Sequence, residues 1–121
     1  MNRTIQFRFL DWPVYKEAKE LFQIIYNLIS KLPANVRINL GGQILRSSFS
    51  IILNIAEGSG KASDKELSRY FDISLGSLYE TLAGIDVLKD NKLVLSGDFE
   101  VIKQKTENVA KQLGGFKKAL S

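Results

Sequence analysis

Apolar residues recur every three or four positions in four stretches of the chain, which predicts four amphipathic α-helices. The stretches are 18–32, 45–56, 67–88 and 99–120. Because the connections between them are short, successive helices should be antiparallel neighbours. The pattern therefore predicts an all-α, antiparallel up-down-up-down four-helix bundle that occupies residues 1–121 as a single domain.

Several residues mark where these helices should begin and end. Pro13 suits the first turn of the first helix, and Pro33 should stop that helix. The Gly41-Gly42 pair is expected to mark the start of the second helix, because each glycine inside a helix would cost about 1 kcal/mol. Asp98 is the predicted N-cap of the fourth helix.

The stretch SIILNIAEGSGKAS, residues 50–63, permits two interpretations. A phosphate-binding P-loop would need glycine at position 55 and a hydroxyl residue at position 62, where the chain has Ile55 and Ala62. The alternative is a helix end, a tight turn and a new helix start. Gly58 would then end the second helix in the left-handed conformation, and Ser63 with Glu66 would form a capping box for the third. The residues favour this helical turn, with Gly60 inside it.

Composition narrows the chemistry available to the chain. Cysteine and histidine are both missing from the sequence, which removes the usual nucleophile–base pairs and most transition-metal sites. We therefore expect neither a catalytic residue nor a metal site nor a cofactor, and we do not expect an enzyme. No apolar run approaches the length that spans a bilayer, and no secretory signal is visible, so a cytoplasmic location is expected.

The central part of the chain resembles a known bacterial family. The segment QILRSSFSIILNIAEGSGKASDKELSRYFDISLGSLYE, residues 43–80, and above all its Asn-Ile-Ala-Glu-Gly block, is similar to the bacterial four-helix-bundle proteins. That family includes the protein encoded within intervening sequences of 23S rRNA genes. Accessory variability proteins of diversity-generating retroelements look similar in fold and work with a reverse transcriptase and nucleic acid. The resemblance implies a left-handed bundle and a homopentamer, and it implies no established enzymatic activity.

A stripe of polar residues on the second helix faces polar residues predicted on the third. The stripe and its partners are Arg46, Ser50, Asn54 and Glu57 on the second helix, with Ser77 and Glu80 on the third. Two interpretations remain: a ligand or catalytic site built on the two glutamates, or a hydrogen-bonded polar seam that fixes helix register. The seam is favoured because a carboxylate pair lacks any nucleophile or metal partner here. In it, Arg46 should form an ion pair with Glu80.

Net charge of +4 and a basic pI permit an acidic partner without requiring one. The candidate phosphate contacts are Lys61, Lys65, Arg69, Lys103, Lys111, Lys117 and Lys118. The aromatic residues Phe49, Phe71, Phe99 and Phe116 are expected in the core, unavailable for stacking on bases. Apolar residues outside the predicted stripes, Trp12, Tyr26, Ile51 and Tyr79, predict an interface between copies. Two functions stay open: binding of structured RNA or other nucleic acid, and a protein-interaction scaffold without nucleic acid.

Overall fold

The computed structural model describes residues 5–120, and all regular secondary structure within that range is helical. A short 3₁₀ turn, Arg8–Asp11, precedes four long helices. These are α1, Pro13–Ser30; α2, Gly42–Ser59; α3, Asp64–Asp90; and α4, Ser96–Leu120. The predicted all-α class and four long helices are therefore confirmed.

Each long helix packs mainly on two others, as in a four-helix bundle. Helix α2 packs most extensively on α3, and the further contacts join α3 to α4, α1 to α2 and α1 to α4. The Trp12 ring at the start of α1 lies 4.6 Å from the Phe116 ring near the end of α4. The core between the helices contains fully buried side chains such as Leu21, Ile55 and Phe71. Trp12, which the pattern placed outside the core stripes, is partly buried and packs against this core.

The buried side of α2 is rotated from the side that the sequence pattern predicted. Ile51, expected outside the core, is 1% exposed, whereas Phe49, expected inside it, is 49% exposed. The buried positions of α2 include Ile44, Ser47, Ser48, Ile51, Ile52, Ile55 and Gly58. Both predictions were wrong because small hydroxyl residues share the buried side, and a pattern that counts only apolar residues misplaces its centre.

Helix α2 begins at Gly42, where the glycine pair predicted a start, but the chain ahead of the pair is already helical, so the glycines do not interrupt it. A single α-turn, Ala34–Val36, and a π-helical turn, Arg37–Gly41, lead directly into α2, and both glycines have right-handed helical backbone angles. A Cβ atom at Gly41 would lie 2.7 Å from Cγ2 of Ile29 on α1. The close approach of α1 thus requires a residue without a side chain, at the expense of helix propensity.

Helix α4 begins two residues earlier than its predicted N-cap. Ser96 is its first residue, and Asp98 lies in the first turn. A carboxylate in that position still stabilises the helix, because the first turn carries unpaired N–H groups and the positive end of the dipole. Pro13 occupies the first turn of α1, as predicted, and α1 ends at Ser30, three residues before Pro33.

Candidate functional site

The predicted polar seam joins α2 to α3 through serine and asparagine. The hydroxyls of Ser50 and Ser77 are 2.9 Å apart. Asn54 donates from its amide to the Ser50 hydroxyl at 3.0 Å and to the Ser50 carbonyl at 2.8 Å. Since an ordinary hydroxyl has one hydrogen, this arrangement leaves the hydrogen of Ser50 available for Ser77. These three residues therefore form one connected hydrogen-bond chain across the helix pair.

A deeper row of hydroxyls lies beside that chain, and the sequence pattern missed it. The hydroxyls of Ser47 and Thr81 are 2.7 Å apart, and Ser74 donates to the carbonyl of Ile51 at 2.9 Å. Thr81 and Ser74 are fully buried, and Ser47 is nearly so. Ser74 and Thr81 stand three or four residues from apolar core positions of α3, which is the one signal that could have revealed them.

Pairing along the seam shows that α2 and α3 are antiparallel. Ser47 meets Thr81, Ser50 meets Ser77, and Ile51 meets Ser74. A rising position on α2 thus matches a falling position on α3. Contacts between small side chains and backbone carbonyls need a close helix approach, so a shift of one turn would separate all three pairs.

The outer polar residues do not join this network as predicted. Arg46 and Glu80 are both exposed, and no ion pair connects them within residues 5–120. The guanidinium of Arg46 instead lies back along its own helix, near Gly42. Glu57 pairs with Lys61 at 3.9 Å across one turn. The predicted Arg46–Glu80 pair is therefore wrong for the single chain, because side chains that both reach into solvent gain little from meeting.

The turn between α2 and α3 lies where it was predicted, but Gly58 does not have the predicted left-handed backbone conformation. Ser63 accepts a hydrogen bond from the Glu66 amide at 3.2 Å, and its hydroxyl lies 3.4 Å from the Glu66 carboxylate. Gly58 is a buried residue of α2, and no glycine in the described range has a positive φ. The left-handed Gly58 was therefore wrong. A Cβ at Gly58 would lie 2.8 Å from Cβ of Tyr70, so close packing of α3 explains this glycine, and Gly60 caps the helix.

Four of the predicted cationic residues gather where α3 begins and α4 ends. Lys61 and Arg69 lie over the ring of Tyr70, 5.0 and 4.8 Å from its centroid. Lys65, Arg69 and Lys117 line a cleft of about 610 Å³. The same cleft contains the acidic residues Asp64, Glu66 and Asp72, and Lys117 forms an ion pair with Asp72. Opposite charges are thus balanced inside the cleft, and its positive field is weak.

The remaining predicted cations are distributed along α4. Lys103, Lys111 and Lys118 are exposed, and their spacing of eight and seven residues places them on one side of the helix. Lys103 and Lys111 form no ion pair within residues 5–120. Glu107 lies between them along the chain. Lys103 and Lys111 therefore lack a direct ion pair, while Glu107, one helical turn from each, and Glu100 beside Lys103 reduce the positive charge on this side of α4.

A neighbouring lysine of α4 has a structural role instead. Lys105 contacts Glu20 at 2.9 Å and Glu17 at 3.6 Å, both on α1. The hydrogen bond to Glu20 raises the pKa of Lys105 above its usual 10.5. In the same way, the hydrogen bond to Asp86 raises the pKa of Lys89. Both amines are therefore held in the charged form by carboxylates of the same chain.

Residues 5–120 contain no cluster of three acidic side chains suited to a metal ion and no helix suited to crossing a bilayer. The arrangement of hydroxyls and lysines is suited to holding helices together and to contacting a partner.

Comparison with known proteins identifies the family. Residues 11–115 match the family described as 23S rRNA-intervening sequence protein. A solved crystal structure from Bacteroides thetaiotaomicron, described as a protein with unknown function from the S23 ribosomal protein family, has a similar fold. Its TM-score is 0.80 and its identity 25%, over 87% of this chain and 95% of that one. A search of curated proteins finds no significant match. Since the family match covers most of its length, this chain belongs to the 23S rRNA-intervening sequence protein family.

Proposed function

We propose that this protein is a non-enzymatic, oligomeric bundle that binds structured RNA through phosphate contacts. The observation that carries the proposal concerns three of the predicted contact residues: Lys65, Lys103 and Lys111 are exposed and form no ion pair among residues 5–120. Each releases counterions on meeting phosphate without first breaking a contact of its own. Lys61, Arg69, Lys117 and Lys118 add contacts at the adjoining end of the bundle.

Assembly multiplies these weak contacts. Each copy has a net charge of +4, so five copies would carry about +20, and phosphate contacts from several copies add up. The number five comes from the resemblance to the family. The up-down-up-down order, the left-handed twist and a cytoplasmic location are part of the same proposal, and contacts such as Trp12 with Phe116 support the order.

Recognition should depend on shape and phosphates rather than on base sequence. Phe71 and Phe99 are buried, and Phe116 packs between Trp12 and Phe71. Rings in these positions are not available for stacking on bases. Phosphate contacts position a nucleic acid without reading its sequence. We therefore expect affinity that depends strongly on salt and little on sequence.

An electrophoretic mobility series with a structured RNA tests the proposal. The wild-type protein should bind with a Kd of roughly 1 μM or below at low salt, and binding should fall steeply as salt rises. Charge reversal at both Lys65 and Lys111 should weaken binding on the order of tenfold or more. The matched control reverses Lys31 and Lys92, two exposed lysines away from the proposed contacts. An equal loss in both variants would show that only net charge matters.

A protein-interaction scaffold is the second candidate, and exposed aromatic residues favour it. Tyr26, Phe49 and Tyr79 are 50%, 49% and 76% exposed. Large apolar side chains in solvent are typical of surfaces that bind proteins. If the intact oligomer causes no mobility shift at low salt, the RNA proposal fails and the scaffold becomes the better explanation.

A further inference from the structure

A group of aromatic rings lies on the outer surface where α1 runs beside α2. It consists of Phe22, Tyr26 and Phe49, since the Phe22 ring lies 6.1 Å from the Tyr26 ring and 5.8 Å from the Phe49 ring. Tyr26 and Phe49 are about half exposed, so part of each ring is in contact with solvent. The sequence pattern placed Phe49 in the core, and its exposure makes it available for stacking on a base.

Cationic residues accompany these rings. Lys19 and Arg46 are exposed on the same two helices, and neither forms an ion pair within residues 5–120. From Leu21 to Ala56 the chain contains no aspartate or glutamate, while Lys31 and Arg37 add two further exposed cations. Positive charge in this part of the chain attracts anions to the rings. The α1–α2 face is the name used below for Lys19, Phe22, Tyr26, Arg46 and Phe49.

The carboxylates around this face do not pair with its cations. Glu17 and Glu20 of α1 contact Lys105 of α4, and Glu57 of α2 pairs with a lysine one turn onward. Glu80 of α3 forms no ion pair with the arginine of the face. The cations beside the rings can therefore contact an anion without first giving up an ion pair of residues 5–120.

We infer that the α1–α2 face binds unpaired nucleotides of the RNA, whose bases stack on Tyr26 and Phe49 while Lys19 and Arg46 contact the adjoining phosphates. Each nucleotide combines a flat ring with an anion, and exposed rings beside cations recognise that combination. Stacking needs an accessible base face, which bases inside a duplex do not offer. The bound segment is therefore a loop, a bulge or a single-stranded end. The inference rests on the proposed RNA binding and adds a second kind of contact to it.

Stacking and phosphate contacts respond differently to salt and to the form of the RNA. Phosphate contacts release counterions, so they weaken as salt rises, and they act on duplexes and single strands alike. Stacking on an uncharged ring releases no counterions and acts only on accessible bases. The two rings should therefore raise the affinity for unpaired RNA without changing the slope of its salt dependence.

Fluorescence anisotropy with a labelled oligouridine and a labelled blunt RNA duplex of equal phosphate number tests the inference. The ring variant carries Tyr26→Leu and Phe49→Leu, which remove both rings but keep apolar side chains. It should bind the oligouridine on the order of tenfold or more weakly than the wild type, with the same salt slope and an unchanged affinity for the duplex. The matched control, Tyr79→Leu, removes an exposed ring of α3 and should bind both RNAs like the wild type.

Failure of this inference can be distinguished from failure of the proposed function. A wild type that binds neither RNA overturns both. A ring variant that keeps its affinity for the oligouridine, or that loses affinity for the duplex to the same extent, overturns the inference alone. A ring variant that is helical by circular dichroism but differs in size by light scattering assigns the rings to a contact between copies, which also overturns the inference.

Ultraviolet crosslinking of the wild type to the oligouridine provides a measurement that needs no variant. Mass spectrometry of the crosslinked peptides should locate adducts at Tyr26 or Phe49, because stacking places a base directly on these rings. Adducts confined to residues outside the α1–α2 face would overturn the inference.

Discussion

Helix α2 meets α3 through small residues, whereas α1 meets α4 partly through long charged side chains. The first contact contains Ser47, Ser74 and Thr81, all buried and hydrogen-bonded. The second contact contains Lys105 with Glu17 and Glu20, at a partly exposed position. Both contacts are polar, but they differ in how close the helices come and in how much water remains.

The two kinds of contact should differ in how strongly they fix the register between neighbouring helices. A buried hydroxyl that loses its partner costs about 1 to 3 kcal/mol, because water cannot replace the bond. An exposed ion pair contributes about 0.2 to 1 kcal/mol, because water and salt replace most of it. Register between α2 and α3 should therefore be much harder to disturb than the pairing of α1 with α4.

Of the changes considered, adding a methyl group at Gly58 should lower the free energy of unfolding the most, because it acts on the close contact between α2 and α3. In Gly58→Ala the new Cβ would lie 2.8 Å from Cβ of Tyr70, so the two helices must move apart. Overpacking of this kind costs about 1 to 3 kcal/mol, and improved helix propensity returns up to about 1 kcal/mol. Urea unfolding at fixed protein concentration should show a net loss of stability.

Gly76→Ala is the control for that change, because no atom lies within 4 Å of the new Cβ. Gly76 lies on α3 and is exposed, so alanine there should raise stability by about 0.5 to 1 kcal/mol. If both alanines stabilise the protein, the close approach at Gly58 does not constrain the helix pair.

Removing one buried hydroxyl should have an intermediate effect. Ser74→Ala deletes the donor to the Ile51 carbonyl, and we expect a loss of about 1 kcal/mol in the free energy of unfolding. The control is Ser68→Ala on the same helix, at a half-buried position outside the seam. Thermal and urea unfolding of both variants measure the difference. Equal stabilities would mean that the seam hydroxyls are interchangeable with methyl groups.

The ion pair between α1 and α4 should give the smallest effect, and one that depends on pH. Lys105→Met should lower stability by about 0.2 to 1 kcal/mol at neutral pH. The pKa of Lys105 is raised in the folded protein, so its contribution is complete below pH 10.5 and is lost as pH rises through the higher folded pKa. Unfolding of wild type and variant should therefore converge at alkaline pH. A difference that persists there would indicate lost packing of the lysine stem instead.

The fold could be predicted because its main signal is the spacing of apolar residues. Leu67, Phe71, Leu78 and Ile85 of α3 all stand on the predicted side and are fully buried. Helix α4 shows the same agreement from Phe99 to Leu113. A long amphipathic helix repeats its signal many times, so one misplaced residue hardly changes the outcome.

The seam was only partly predictable, since close packing leaves little trace in a single sequence. Gly41 and Gly58 suggested helix ends, but both serve the approach of another helix, to Ile29 and to Tyr70. Ser50 and Ser77 were placed correctly because they share a stripe with charged residues. The sequence analysis missed the buried hydroxyls of Ser47, Ser74 and Thr81. The residue type alone does not distinguish a buried serine or threonine from an exposed one.

Arg46 shows that the sequence can also suggest a contact that the structure does not contain. Opposite charges at matching levels of two helices suggested a pair with Glu80, yet both side chains are exposed, and the Arg46 guanidinium lies near Gly42 of its own helix. A sequence specifies the level of a residue along a helix more firmly than the direction of a long, flexible side chain. Charged residues on helix surfaces are therefore poor guides to internal contacts and better guides to external partners.

The π-helical turn at Arg37–Gly41 affects how the chain can change its length during evolution. A π turn contains about one residue more than the α turn it replaces, because its hydrogen bonds span five residues instead of four. Loss of one residue here would leave an ordinary α-helix, with Pro33 before it and Ile44 after it in their present places. A relative lacking that residue would align with this chain through a single gap, and the bundle would absorb the deletion without a change in its core.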